Sequence, residues 1–259
     1  MPGTQHYIPQ QYLNAFTNDK KKVAVYDKMK NICFFANPRN IFAEKDFFNL
    51  NLEGIDENFT FNGAKIEPTI LDQQLNIYEA ETGRILKLLR TNNPISPNDF
   101  FYLLEFMCWL LFATNDTKNF YMKKYEGQII PQMPGIFINL HKKMKPFFSC
   151  RVWRFEQCQN LLITSDNPIN LNLKLQTPKD IDTLLKTAIC FPIAPNQVIL
   201  GYPSDGLQPI PVRPKGMTAA HIAGANDTIY QNANRFLVSH DMDILRDIVE
   251  RNRAHYEKH

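Results

Sequence analysis

SPNDFFYLLEFMCWLLF, residues 96–112, decides how this chain is read. Ser96 can cap a helix, Pro97 suits its first position, and Asp99 follows three residues after the cap, which is how helices begin. From Phe100 to Phe112 the run is apolar nearly all round, with Glu105 the main exception. A helix that is apolar on every side belongs in the middle of a protein. The same stretch admits a continuation through Asn119 to Tyr125. Upstream, Thr69-x-x-Asp72 resembles a capping box and opens another helix. Its apolar positions Ile70, Leu75, Tyr78, Ile85, Leu86 and Leu89 recur at helical spacing. Gly83 in its interior costs about 1 kcal/mol relative to alanine and predicts a close approach of another segment. Downstream, Gly135 to Lys145 predicts a third helix, with a change of pattern after Pro146.

Further out the period shortens. Val23–Lys28 and Asn31–Ala36 read as strands around a turn at Lys28-Met29-Lys30. Cys150–Phe155 and Leu161–Asp166 read as a second hairpin with its turn at Glu156–Asn160. Ala188–Ala194 and Gln197–Tyr202 form a third pair about Pro195-Asn196. Thr177 caps a short helix to about Lys186. Thr218–Arg235 is helical in pattern, Phe236–His240 a strand, and Asp241 to about Tyr256 a terminal helix. At the N-terminus Pro9 suits the first position of a helix over 9–16, with Tyr12, Leu13 and Phe16 on one face. The expected fold is one α+β domain over 1–259. Its helices group at about 69–145, and a mostly antiparallel sheet combines the N-terminal hairpin with the strands of 150–240. A helical insertion at 69–145 would give the same pattern.

Composition removes several function classes. The chain has 259 residues, 29 Lys and Arg against 26 Asp and Glu, and a net charge of +3. That permits a nucleic-acid partner without the dense basic stripe that would argue for one. The runs Lys20-Lys21-Lys22 and His141-Lys142-Lys143 read as solvated faces. Glycine is scarce at 10, and no dinucleotide or Walker loop, nucleophile elbow, H-E-x-x-H or EF-hand loop occurs. The N-terminus lacks the charged and apolar regions of a signal peptide, and no apolar run approaches the roughly 20 residues of a membrane span, so no membrane partner is expected. Five cysteines without a C-x-x-C pair suit a reducing cytoplasm.

The polar residues that could carry chemistry are few. TSDNPI, Thr164–Ile169, sets Ser165, Asp166 and Asn167 at the end of an apolar strand, and Pro168 stops further pairing. Such a string builds a site or simply a turn. His6 stands just before the first helix, where it could act as an acid–base group, bind a metal, or hold structure. Glu79 and Glu81 point to different faces of their helix: either Glu79 borders the buried face while Glu81 pairs with Arg84 or Lys87 outside, or both are surface acids. Asn226 and Arg235 are nine apart, on opposite sides of any straight helix. Arg235, at a helix-to-strand junction, could reach an anion or cap the helix.

Three strings together resemble a bacterial and fungal family known as domain of unknown function 4238. They are H-Y-x-P-x-x-Y-L-x-x-F at His6–Phe16, I-T-S-D-N-P at Ile163–Pro168 and F-P-I-x-P at Phe191–Pro195. An acid near Glu79, and Asn226 followed by Ala233, Arg235 and Ser239, are also similar. The resemblance implies one domain over nearly the whole chain and a convergence of His6 and Asp166 on one site, without naming a reaction. Two readings follow. In the first, the protein is a metal-dependent hydrolase of nucleic acid or a nucleotide-like phosphodiester, in a defence or toxin role. His6, Asp166 and Glu79 would be catalytic, Asp166 and Glu79 would hold Mg²⁺, and Ser165, Asn167, Asn226 and Arg235 would bind substrate. In the second, it is a non-catalytic protein-binding or regulatory module, in which His6 and Asp166 belong to a structural hydrogen-bond network.

Overall fold

The computed structural model describes residues 4–45, 47–49, 60–61, 64–65, 67, 69–112, 114, 117–119, 123, 133–149, 151–159, 161–171, 186–204 and 216–256. The chain starts with β1 (Thr4–His6) and α1 (Gln10–Leu13), which tightens into a 3₁₀ turn at Asn14–Phe16. Pro9 lies one position earlier than expected. Its backbone is extended, and its carbonyl accepts from the N–H groups of Tyr12 and Leu13, so it flanks the helix instead of opening it. Tyr12, Leu13 and Phe16 are fully buried.

β2 (Val23–Asp27) and β3 (Ile32–Ala36) form the expected N-terminal hairpin. Its turn is held by the Asp27 carboxylate, which accepts from the amides of Met29 and Lys30 at 3.0 and 3.2 Å. Asn31 takes the left-handed conformation, φ 53°, that asparagine tolerates. β4 (Ala43–Lys45) pairs with β1 in a separate two-stranded ribbon. β5 (Thr60–Phe61) and β6 (Ala64–Lys65) make another.

The helical part contains α2 (Ile70–Arg90), α3 (Pro97–Phe112) and α4 (Met133–Ser149). The start of α3 is as expected. The Asp99 amide donates to Ser96 Oγ at 3.1 Å, and the Ser96 amide donates to the Asp99 carboxylate at 3.0 Å. Thr69 departs from expectation: its hydroxyl accepts from the Gln73 side chain and makes no capping bond to the backbone. α4 also runs further than predicted and contains Pro146. Proline removes one donor, and the helix continues because the ends on either side are packed; Phe147 and Phe148 are buried. Residues 120–122, 124–130 and 172–185, where a continuation of α3 and a helix after Thr177 were expected, lie outside the described residues.

The second half contributes β7 (Arg151–Gln157), β8 (Thr164–Ser165), β9 (Asn170–Leu171), β10 (Ile189–Ala194) and β11 (Gln197–Pro203). They are followed by α5 (Ala219–Asn232), β12 (Phe236–Ser239) and α6 (Met242–Tyr256). The fold is α+β, with antiparallel pairing in every sheet. One large sheet was expected, but the strands divide into two, ordered β3-β2-β12-β8 and β7-β11-β10-β9. The expected hairpin of 150–166 is therefore absent: β7 pairs with β11, and β8 with β12. The cause is the segment between them. Cys158 and Leu162 donate their amides to the carbonyls of Asn196 and Pro195, and Asn226 bridges the backbone of Leu161 and Ile163. These bonds pass the chain from one sheet to the other before a hairpin can close.

One apolar cluster joins α1, α2, α3, α4 and both large sheets through Tyr12, Leu86, Leu103, Phe148, Phe191 and Val25. A second, with Ala24, Tyr26, Ile229, Leu237, Leu245 and Ile248, covers the opposite face of the hairpin sheet. β2 is thus buried on both faces, which explains why its sequence alternates only in part. Among the described residues no helix is long and apolar enough to cross a membrane.

Two glycines give contrasting predictions. A Cβ on Gly83 would overlap the side-chain amide of Gln11, which is exposed and free to rotate, so Gly83→Ala should change stability by less than about 1 kcal/mol. A Cβ on Gly201 would lie 2.6–2.9 Å from the Trp153 ring. That ring cannot retreat, because it stacks on Phe148 and donates to the Phe148 carbonyl. Gly201→Ala should destabilise by about 1–3 kcal/mol in denaturant unfolding.

Candidate functional site

TSDN closes a polar junction where β8, the end of α5 and the start of β12 meet. Asp166 Oδ1 accepts from the amide of Asn234 at 2.9 Å, and Oδ2 from those of Arg235 and Phe236 at 2.7 and 3.1 Å. Three successive N–H groups of a chain reversal thus converge on one carboxylate, itself only 3% exposed. Asn167 donates its side-chain amide to the Asn232 carbonyl at 2.9 Å, and Ser165 Oγ bonds both the N–H and the carbonyl of Asn167. Asn226 reaches back to Leu161 and Ile163. Ser239 Oγ accepts from the Asp241 amide.

Arg235 follows the end of α5, so the nine-residue spacing from Asn226 places no constraint on it. Its guanidinium grips Asp27 through Nε, at 3.1–3.2 Å, and Nη2, at 2.8 Å, and lies over the Phe236 ring. Burial acts to raise the Asp27 carboxyl, but the Arg235 bonds and the amides of Lys30 and Met29 outweigh it and hold the group below the usual carboxylate range. Lys28 caps the same end of α5, donating to the carbonyls of Tyr230 and Ala233.

The other two sequence candidates lie apart from this junction. His6 faces Ala43 in the small ribbon, and its Nε2 donates to the Arg39 carbonyl at 3.0 Å. The expected pairing of His6 with Asp166 is not made, because each group is already held by nearer backbone partners. Glu79 is half-buried on α2. Burial, with the Asp72 carboxylate adding to it, pushes its carboxyl up to about 7. Among the described residues no group of three or more His, Cys, Asp and Glu could hold a metal ion. Of the two acids proposed to hold Mg²⁺, Asp166 is directed at the backbone and Glu79 stands on another element, α2.

Beside the junction runs an open groove of about 750 Å³, between β3 and the β1–β4 ribbon. Tyr7, Phe34, Phe42, Asp166, Arg235 and Phe236 are among the residues lining it; neither His6 nor Glu79 is. Lys118 on its rim pairs with Glu44 at 3.3 Å.

A family model described as "Protein of unknown function (DUF4238)" matches residues 4–135 and 115–243. The chain belongs to this family. No curated protein and no solved structure matches it. The three strings that resemble DUF4238 do converge, but through other residues than expected. Tyr12 of the first string donates its hydroxyl to the carbonyl of Pro192, in the third, at 2.7 Å. It accepts from Thr164 Oγ1, in the second, at 2.6 Å, and its ring stacks on Phe191. Tyr12 is wholly buried, and burial raises its phenol far above the ordinary value, so it remains protonated.

A second polar cluster was legible only in outline. Glu105, the acid that interrupts the apolar run of α3, is 5% exposed. His141 Nε2 lies 2.8 Å from its carboxylate, and Lys145 Nζ 2.5 Å. His141 stacks on Trp109 with ring centres 4.7 Å apart, and Lys145 sits over Phe101. The signal in the sequence is a histidine and a lysine at i and i+4 on α4, with a lone acid on a buried helix.

Two outcomes follow from these sites. Tyr12→Phe leaves the Pro192 carbonyl and the Thr164 hydroxyl without their buried partner, and should lower stability by about 1–3 kcal/mol in denaturant titration. Burial, reinforced by Lys145, holds His141 below the ordinary histidine value despite the pull of Glu105. A group held neutral by folding contributes stability above its unfolded pKa of about 6.5, and that contribution is lost as the pH falls below it. Unfolding midpoints measured from about pH 8 to about pH 5 should fall, and His141→Gln should reduce the fall.

Proposed function

We propose that the protein is a non-catalytic protein-binding module, in which the family-signature residues fix the architecture and a partner docks on another surface. The observation that carries this reading is the state of Asp166: both carboxylate oxygens are occupied by backbone N–H groups in a buried junction. A carboxylate so engaged orients chain segments and has little capacity left to ligate a metal or activate water. Tyr12, which links the three signature strings, is likewise sealed from solvent and protonated. The described cysteines, Cys33, Cys108, Cys158 and Cys190, are all free, which supports placement in a reducing compartment such as the cytoplasm.

Hydrolysis of a nucleic acid or nucleotide-like phosphodiester is the alternative, and Glu79 is what favours it. A half-buried carboxyl raised to about 7 is suited to proton transfer near neutral pH.

The two readings separate on Asp166→Asn. The binding-module reading expects no Mg²⁺- or Mn²⁺-dependent cleavage of single-stranded DNA, RNA or bis(p-nitrophenyl) phosphate by the purified chain. It also expects a loss of about 1–3 kcal/mol in stability, since the asparagine amide turns an N–H₂ toward a backbone donor. Metal-dependent cleavage that Asp166→Asn abolishes while the melting temperature holds would sink the proposal in favour of the hydrolase.

A further inference from the structure

β3 is an edge strand: in the order β3-β2-β12-β8, no described strand pairs with its other side. The direction of its free groups follows from the register. The Lys28 amide bonds the Arg235 carbonyl, so the even-numbered residues of β2 bond toward β12 and its odd-numbered residues toward β3. Val23, Val25 and Asp27 face Ala36, Phe34 and Ile32, which leaves the N–H and C=O groups of Cys33 and Phe35 directed outward.

Side chains along this edge are unusually apolar for an exposed position. Ile32 and Phe35 are each 48% exposed and Met29 77%. Phe35 and Met29 border the groove beside β3. Cations ring the same edge. Lys20, Lys21 and Lys22 are exposed where β2 begins, next to the Ala36 end of β3. Lys30 is exposed in the turn at the other end, Arg253 bonds the side chain of Asn31, and Arg246 reaches Cys33 from α6. The acids nearby are Asp19, exposed beside the lysine run, Asp243, which lies 3.6 Å from Arg246, and two that line the groove: Glu44, paired with Lys118, and Asp166, which accepts from the backbone amides of residues 234–236.

We infer that this edge takes an extended, acidic peptide segment of a partner protein as an added strand. The inference rests on the binding-module reading and supplies its partner class. Main-chain groups of Cys33 and Phe35 bond the incoming backbone. Apolar side chains of the peptide, every second residue, pack beside Phe34 into the adjoining groove, and the acidic residues between them, on the Phe35 face, meet the flanking cations. A guard role for the cations, which would only deter edge-to-edge association, is the competing account.

The test selects a display library of random short peptides on the full chain, then measures binding of the enriched sequence by fluorescence anisotropy and maps it by amide chemical shifts. Acidic residues alternating with apolar ones should be enriched, with shifts centred on Cys33 and Phe35. Phe35→Pro deletes an outward donor without touching the ladder to β2, and should weaken binding about tenfold. Lys20→Glu with Lys22→Glu should weaken it similarly and flatten its salt dependence, and this pair carries the test if Phe35→Pro does not fold. No acidic enrichment, or shifts centred elsewhere, would overturn the inference. So would a dimer of the chain that Phe35→Pro dissociates, since a second copy would then occupy the edge. Peptides bound at another surface would still leave the binding-module reading standing, whereas metal-dependent hydrolysis dependent on Asp166 would remove that reading itself.

Discussion

The hydroxyl of Tyr12 is bonded to both large sheets at once. Thr164 belongs to the sheet of the N-terminal hairpin and Pro192 to the other, and the tyrosine accepts from one and donates to the other. Because the site is dry, neither bond has water as a substitute, and each sheet's position depends on the same oxygen. Arg90 extends the arrangement to α2. It donates to the carbonyls of Gln11 and Tyr12 on one side and Ile193 on the other. Burial lowers its guanidinium to about 10, which still leaves it charged at neutral pH. A short helix that would have no stability by itself thereby becomes the common fitting of two sheets and a long helix.

The ionic groups of the interior serve the same purpose. Asp27 closes a hairpin turn and holds Arg235; Asp166 gathers the amides beside that arginine; Lys28 caps the helix that precedes it. Each carboxylate meets donors enough to offset its desolvation, the condition under which buried charge is tolerated. Glu105 with His141 and Lys145 repeats the principle between α3 and α4, using one cation and one imidazole against one acid.

What could be read beforehand was mostly what neighbouring residues decide. The Ser96–Asp99 cap, the turn after Asp27, the β10–β11 pair and the α5–β12–α6 order all rest on local patterns, and all are present. Sequence pattern favours pairing β7 with β8, because both have strand patterns and adjacent strands usually join; what separates them is a side chain, Asn226, more than sixty positions away. The site was legible as strings and illegible as geometry. The conspicuous His6 bonds the Arg39 carbonyl, while the contact that unites the strings is made by Tyr12, which in sequence looks like one more apolar position on a helix face. Glu105 was visible as an anomaly, but its partners could not be assigned without knowing which face of α4 it meets.

The sheet order also constrains how the molecule comes into being. β2 pairs on one side with β3, a few residues away, and on the other with β12; Asp27 and Arg235 are 208 positions apart. During synthesis the hairpin emerges long before the strand that must lie beside it, and its buried acid waits for a counter-ion made 208 positions later. Contacts of such separation are slow to form. A nascent chain therefore carries a second open strand edge while the 208 positions from Asp27 to Arg235 are made, a period in which chaperone capture and premature association compete with completion of the sheet.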